Sequence, residues 1–194
     1  MLATVGADLD LLGLLPDGAV DVGDSWTVEL STLIDVLFPG GGVGLVLETD
    51  LDQLEGALDP SDLPTVDEVL RAGELEGEAT CKLLEVIGEV AHVELTVKVR
   101  AVADFLSRLE RTVDEAAPDG VDADVTRGEF LLALRGEGKL TFGLTTGHVA
   151  TFEFDGETSE ESVIGATVHA DGETLEYEQR HARSGTVLVR TTIE

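Results

Sequence analysis

The chain of 194 residues carries 40 Asp and Glu against 12 Lys and Arg, giving a formal net charge of −28 and a pI near 4.1. Apolar residues still make up 43% of it, which excludes a disordered acidic tail. Three lysines are too few to build the basic surface that nucleic-acid binding requires.

The chain divides near Gly73. Before it, short apolar clusters alternate with Gly, Pro and Asp; after it, period-two patterns dominate. Leu9 to Leu15 is apolar and ends at the turn signal Pro16-Asp17-Gly18. Val20 to Val28 contains the phrase Val22-Gly23-Asp24-Ser25-Trp26. A helix is expected over 31–38, with Ser31 as its cap and Leu30, Leu33, Ile34 and Leu37 on one face. Pro39 and Gly40 to Gly42 stop it. Residues 43–60 fit no single pattern. A second short helix begins at the capping box Thr65-Val66-Asp67-Glu68 and ends at Gly73.

From there the expected strands cover 75–87, with a bulge where Leu83-Leu84 shifts the apolar parity, and 90–102 after a Gly88-Glu89 turn. The second strand alternates cleanly. Val93, Leu95, Val97, Val99 and Ala101 fall on one face, and His92, Glu94, Thr96, Lys98 and Arg100 on the other. Helical spacing then places Val102, Leu106, Leu109 and Val113 on one stripe of a helix over 102–114. An acidic loop follows, Asp114 to Asp124. Further strands are expected at 126–136, 138–145, 148–155, 161–170, 173–183 and 186–193. Their punctuation is Thr146-Gly147, Asp155-Gly156, Asp171-Gly172 and Ser184-Gly185, with a turn or kinked strand at Gly136-Glu137-Gly138. The connections are too short for parallel crossovers. The fold class is therefore mainly β within α+β. One domain is expected: a large curved antiparallel meander sheet or open barrel of about eight strands, with two or three short helices packed on it. Residues 1–73 form its N-terminal helical and loop part, and 74–194 its meander.

The acidity has three readings: solubility through self-repulsion, adaptation to salt, and cation binding. The pairs Asp8/Asp10, Asp50/Asp52 and Asp122/Asp124 lack the fixed offsets of a calcium loop, and the segment from Asp119 to Glu129 lacks its Gly and Glu. The four histidines form no ligand pair. His92 and His169 fall on polar strand parities, His148 and His181 on apolar ones. Cys81 is the sole cysteine, so no intramolecular disulfide forms, and strand spacing makes it a small buried hydrophobe. Asp24-Ser25 superficially suggests a hydrolase nucleophile, yet no Asp-x-x-His exists to activate it, because the residues three before the histidines are Glu89, Thr145, Ala166 and Glu178. No Walker A motif or dinucleotide fingerprint is present. Catalytic, cofactor and metal residues are thus all expected to be none, and the protein is expected not to be an enzyme.

The aromatic residues supply the only cavity candidates. Phe142, Phe152 and Phe154 share a parity with Leu140, Leu144 and Ala150. Leu175, Tyr177, Gln179, His181 and Arg183 form a face that changes from apolar to polar, which suits either a wet-mouthed cavity or a strand end leaving the core. With Trp26, the candidate lining is Trp26, Phe142, Phe152, Phe154, Tyr177 and His181.

Three elements together resemble uncharacterised bacterial cell-envelope and lipoprotein domains of unknown function. They are Pro16 to Trp26 with its Val-Gly-Asp-Ser-Trp entry, the strand opening at Gly77, and Gly136-Glu137-Gly138-Lys139-Leu140-Thr141-Phe142 leading to Thr146-Gly147. The layout is similar to the open half-barrels with helical lids that carry lipoproteins or lipids. The resemblance implies a non-enzymatic envelope module, with helices against the concave face of its sheet and an apolar ligand or a protein partner bound there. The other readings are a structural or assembly domain without a small-molecule site and, remotely, a hydrolase using Ser25 and His181. No apolar run reaches the ~18 residues of a membrane span. Met1 to Asp10 lacks a basic segment and carries Asp8 and Asp10, unlike a signal peptide. The expectation is export with the signal removed; the alternative is the cytoplasm. The pattern does not specify an oligomeric state.

Overall fold

A computed structural model describes residues 11–37, 66–116, 122–170 and 173–192. The capping residue Thr65, residues 43–60, the acid pairs at 8/10 and 50/52 and the Asp171-Gly172 turn lie outside them. Among the described residues, six strands form a single antiparallel sheet in simple chain order: β1 (Ser25–Thr27), β2 (Glu74–Ile87), β3 (Val90–Asp104), β4 (Asp122–Gly143), β5 (His148–Ala170) and β6 (Glu173–Thr192). Three short helices among the described residues accompany it: α1 (Leu30–Leu37), α2 (Val66–Ala72) and α3 (Leu106–Ala116). The expected antiparallel meander with helices is the fold.

The alternation read from the sequence decides the faces. Odd positions of β2 and β3 and even positions of β4 and β5 point to one side, where Ala79, Cys81, Val93, Leu95, Val97, Phe130, Leu132, Leu140, Phe152 and Phe154 make the core. The helices cover this side. Leu109 of α3 and Val69 and Leu70 of α2 are buried in the same cluster, and Phe105 meets Phe130 edge-to-face at 5.4 Å. The bulge expected at Leu83-Leu84 is a register shift between Leu83 and Glu85.

The described strands are longer than expected, because expected neighbours run together. Those expected at 126–136 and 138–145 are one strand, β4; 148–155 and 161–170 are one strand, β5; 173–183 and 186–193 are one strand, β6. The glycines that suggested breaks sit within the ladder. Gly136 is opposite Gly156, and Gly138 is opposite Phe154. A Cβ on Gly136 would lie 2.6 Å from Cζ of Phe154, and one on Gly156 would lie 2.6 Å from its Cε1. The phenyl ring occupies the notch that these glycines leave on the core face. This is a cross-strand aromatic cover for glycine, not a turn.

The helix expected from 102 starts later. β3 runs on to Asp104, whose Oδ1 accepts a 2.8 Å hydrogen bond from Leu106 N and so caps α3. The helix start rests on Gly128, where a Cβ would be 2.8 Å from Leu109 Cδ1 and 2.9 Å from Leu106 N.

Candidate functional site

The Val-Gly-Asp-Ser-Trp phrase is a structural joint. Gly23 adopts φ +98°, Asp24 Oδ2 accepts from Asp21 N at 2.9 Å, and Gly23 N donates to Leu83 O at 2.8 Å. The Trp26 indole Nε1 donates to Leu14 O at 2.9 Å, tying the first described segment to β1. Ser25 is exposed in β1, whereas His181 lies in β6 at the other edge of the sheet, so four strands separate the only nameable nucleophile and base.

The other candidates scatter. Phe152 and Phe154 are fully buried core, and Phe142 packs half-buried against that core. Tyr177 is 47% exposed near the start of β6. His181 is half-buried opposite Ser162, and its Nε2 is buried without a hydrogen-bond partner. The inner face of β5 and β6 does change character, from buried Val187 through His181 to exposed Tyr177 and Leu175. His148, on an apolar parity, is exposed as the first residue of β5, beyond the core's reach. Cys81 is buried, and burial pushes its thiol up to about 12.

The hollows lie elsewhere, on the face that the helices leave open. One of about 1180 Å³ crosses the sheet from β2 to β6. A second, of about 520 Å³, shares Lys98, Arg135 and Glu157 with it, and a third, of about 240 Å³, shares Glu137 and Asp155 with the second. Phe154 borders the 240 Å³ hollow; none of the other five aromatic or histidine candidates lines any of the three. The floor of the first is the cross-strand row Gly77, Val99, Leu134, Thr158 and Gly185, whose side chains, where present, point to the core side. Gly77 takes φ +116°, and a Cβ there would collide with Lys98 O.

The walls are charged. All three lysines and five of the arginines (Arg100, Arg127, Arg135, Arg180 and Arg190) project from this open face, although the chain has only 12 basic residues. Register arranges them in rows. One row reads Lys82, Glu94, Lys139, Glu153, Arg190, alternating in sign at every step from β2 to β6. The next but one reads Glu78, Lys98, Arg135, Glu157, Thr186, and here the alternation fails: Lys98 stands directly opposite Arg135. Arg100 follows two residues along β3, on the same wall. Arg135 donates from Nε to Glu157 Oε2 at 2.9 Å. Lys98 and Arg100 make no ion pair with any described residue. Farther along the face, Arg127 bridges Glu129 at 2.8 Å and Glu178 at 3.7 Å across Gly165. The hydrogen bond from Arg127 holds the Glu129 carboxyl below its ordinary range.

Among the described residues, no cluster of His, Cys, Asp or Glu is arranged to hold a metal ion, and no helix is long and apolar enough to cross a membrane. Set against protein-family models, curated proteins and solved structures, the chain matches none.

Sequence reasoning placed Lys98 and Arg100 on the polar face of their strand but did not single them out, and it did not find Arg135. The parity signal was present. What no single strand carries is the register that sets Lys98 against Arg135.

Proposed function

We propose that the protein is a non-enzymatic binding module of the bacterial cell envelope, and that it receives a protein partner on the open face of its sheet. The observation that carries this reading is the hollow of about 1180 Å³ across β2 to β6. It is built on rigid paired strands and lies on the face that the helices leave uncovered. Its walls are charged and hydroxylated, with Lys98, Arg100, Arg135, Glu157, Ser159 and Ser184 among them, which suits a polar protein surface better than an acyl chain. The separation of Ser25 on β1 from His181 on β6 supports a binding role over hydrolysis by that pair. Placement in the envelope rests on the resemblance of the Val22 to Trp26 entry to envelope domains, and export would follow from it.

A photo-crosslinking amino acid at Ser159, in the hollow, tests the reading against the same group at Glu110, on exposed α3. A discrete adduct in cells from position 159 and none from position 110 is the expected result. Equal labelling from both positions, or none from either, overturns it.

A further inference from the structure

We propose that Lys98, Arg100 and Arg135 form the recognition site of this module, and that its occupant is a short extended acidic peptide segment with two carboxylates two residues apart. The proposal rests on the binding-module reading and names its partner's chemistry.

Like charges directly opposite one another in a sheet destabilise it, and the row from Lys82 to Arg190, two rows away on the same face, avoids this at every step. Lys98 and Arg135 break that order in a chain with 40 acids available to restore it. The intervening row sets Glu137 against Asp155, an opposition of acids in keeping with the composition, whereas Lys98 and Arg135 set two of only 12 basic residues against each other. Glu157 compensates Arg135, and Lys98 makes no ion pair with a described residue. Glu78 and Glu76, opposite Lys98 and Arg100 in register, do not close onto them, so both cations line the hollow without an ion pair to any described residue. Arg135 is oriented by Glu157 through Nε and Nη2, which leaves Nη1 to donate elsewhere. The three cations stand side by side in the hollow, balanced in number by Glu76, Glu78 and Glu157 on its rims.

The geometry also limits the occupant. Lys98 and Arg100 are successive outward positions of β3, so they are about 6.6–6.8 Å apart along the strand, the same spacing as residues i and i+2 of an extended peptide. Carboxylates at that spacing meet both cations at once, with Arg135 alongside the first. Both rims are acidic, with Glu76 and Glu78 on β2 and Glu157 on β5, so a long polyanion would be repelled where it leaves the centre. A single inorganic ion would leave most of the hollow's 1180 Å³ unused.

The test uses the full chain at low ionic strength, with fluorescence anisotropy of a labelled Gly-Glu-Gly-Glu-Gly peptide and its Gln counterpart. Saturable binding of the Glu peptide alone is expected. Lys98→Gln and Arg100→Gln should each weaken it by about tenfold or more, the loss of one charge-assisted contact. Lys139→Gln, in the alternating row, should change it by less than about twofold. Both cations are exposed, and Lys98→Gln removes a like-charge opposition, so its melting temperature should not fall. A fall in that melting temperature shows that Lys98 serves the fold and overturns the proposal. So does a failure of the Glu peptide to saturate, or a loss of equal size in Lys139→Gln. Binding of inorganic phosphate at these residues with no binding of the Glu peptide also overturns it. An adduct from position 159 that persists undiminished in the Lys98→Gln/Arg100→Gln double variant overturns this inference while leaving the binding-module reading intact.

Discussion

Gly136 and Gly156 face each other across β4 and β5, and the ring of Phe154 fills the space where both side chains would stand. The pair explains how strands of 22 and 23 residues pass through Gly-rich segments unbroken. It also makes the centre of the sheet intolerant of any added carbon. Gly136→Ala and Gly156→Ala should each destabilise the protein by about 1–3 kcal/mol, because Phe154 and the neighbouring backbone must shift. Gly18→Ala, with nothing near its would-be Cβ, should be close to neutral. Chemical denaturation of the three variants checks this.

Trp26 joins the first described segment to the sheet by one hydrogen bond, Nε1 to Leu14 O at 2.9 Å. Trp26→Phe keeps much of the apolar contact and removes the donor. It should cost about 1 kcal/mol, and amide exchange should quicken around residues 11–28 more than in β3 or β4. Uniform quickening across the sheet would contradict this local role.

Leu109 is completely buried where α3 sits over Gly128. Leu109→Ala leaves a void that the paired strand beneath cannot close. A loss of about 2–4 kcal/mol is expected, measured by thermal or urea unfolding.

Burial raises the Cys81 thiol from its ordinary 9.0 to about 12. The folded state therefore keeps the thiol neutral, while the unfolded chain releases its proton above about pH 9. This group's contribution to stability is complete below pH 9.0 and declines as pH rises from there toward 12. Cys81→Ala should flatten that part of the stability profile. The native thiol should also resist alkylation at pH 8, reacting only on unfolding.

Net charge predicts a rise in melting temperature with monovalent salt. The formal charge is −28, and the ion pairs, such as Arg71 with Asp35 and Arg180 with Glu178, are on exposed side chains, so screening relieves more repulsion than attraction. A melting temperature that falls between low and moderate salt would contradict this.

The candidate site was half legible beforehand. Alternation in 90–102 placed Lys98 and Arg100 on a polar face, and the structure keeps them there. It could not reveal the hollow, because the hollow belongs to five strands at once. The aromatic residues lie away from the hollow for the opposite reason. Phe152 and Phe154 carry the strongest apolar signal in the hairpin, and that same signal drives them into the core.

The sequence by itself determined the class of the molecule. Period-two alternation set which side of each strand meets the core, and short connections permitted only antiparallel neighbours. It also determined the acidity and the buried cysteine. Tertiary structure alone decided where strands turn and which charges meet. Glycine suits both a turn and a crowded mid-strand position, so Gly88 and Gly147 could be turns while Gly136 and Gly156 lie in a ladder, and only Phe154 separates the two cases. The opposition of Lys98 and Arg135 depends on pairing between residues 37 positions apart, which no local pattern encodes.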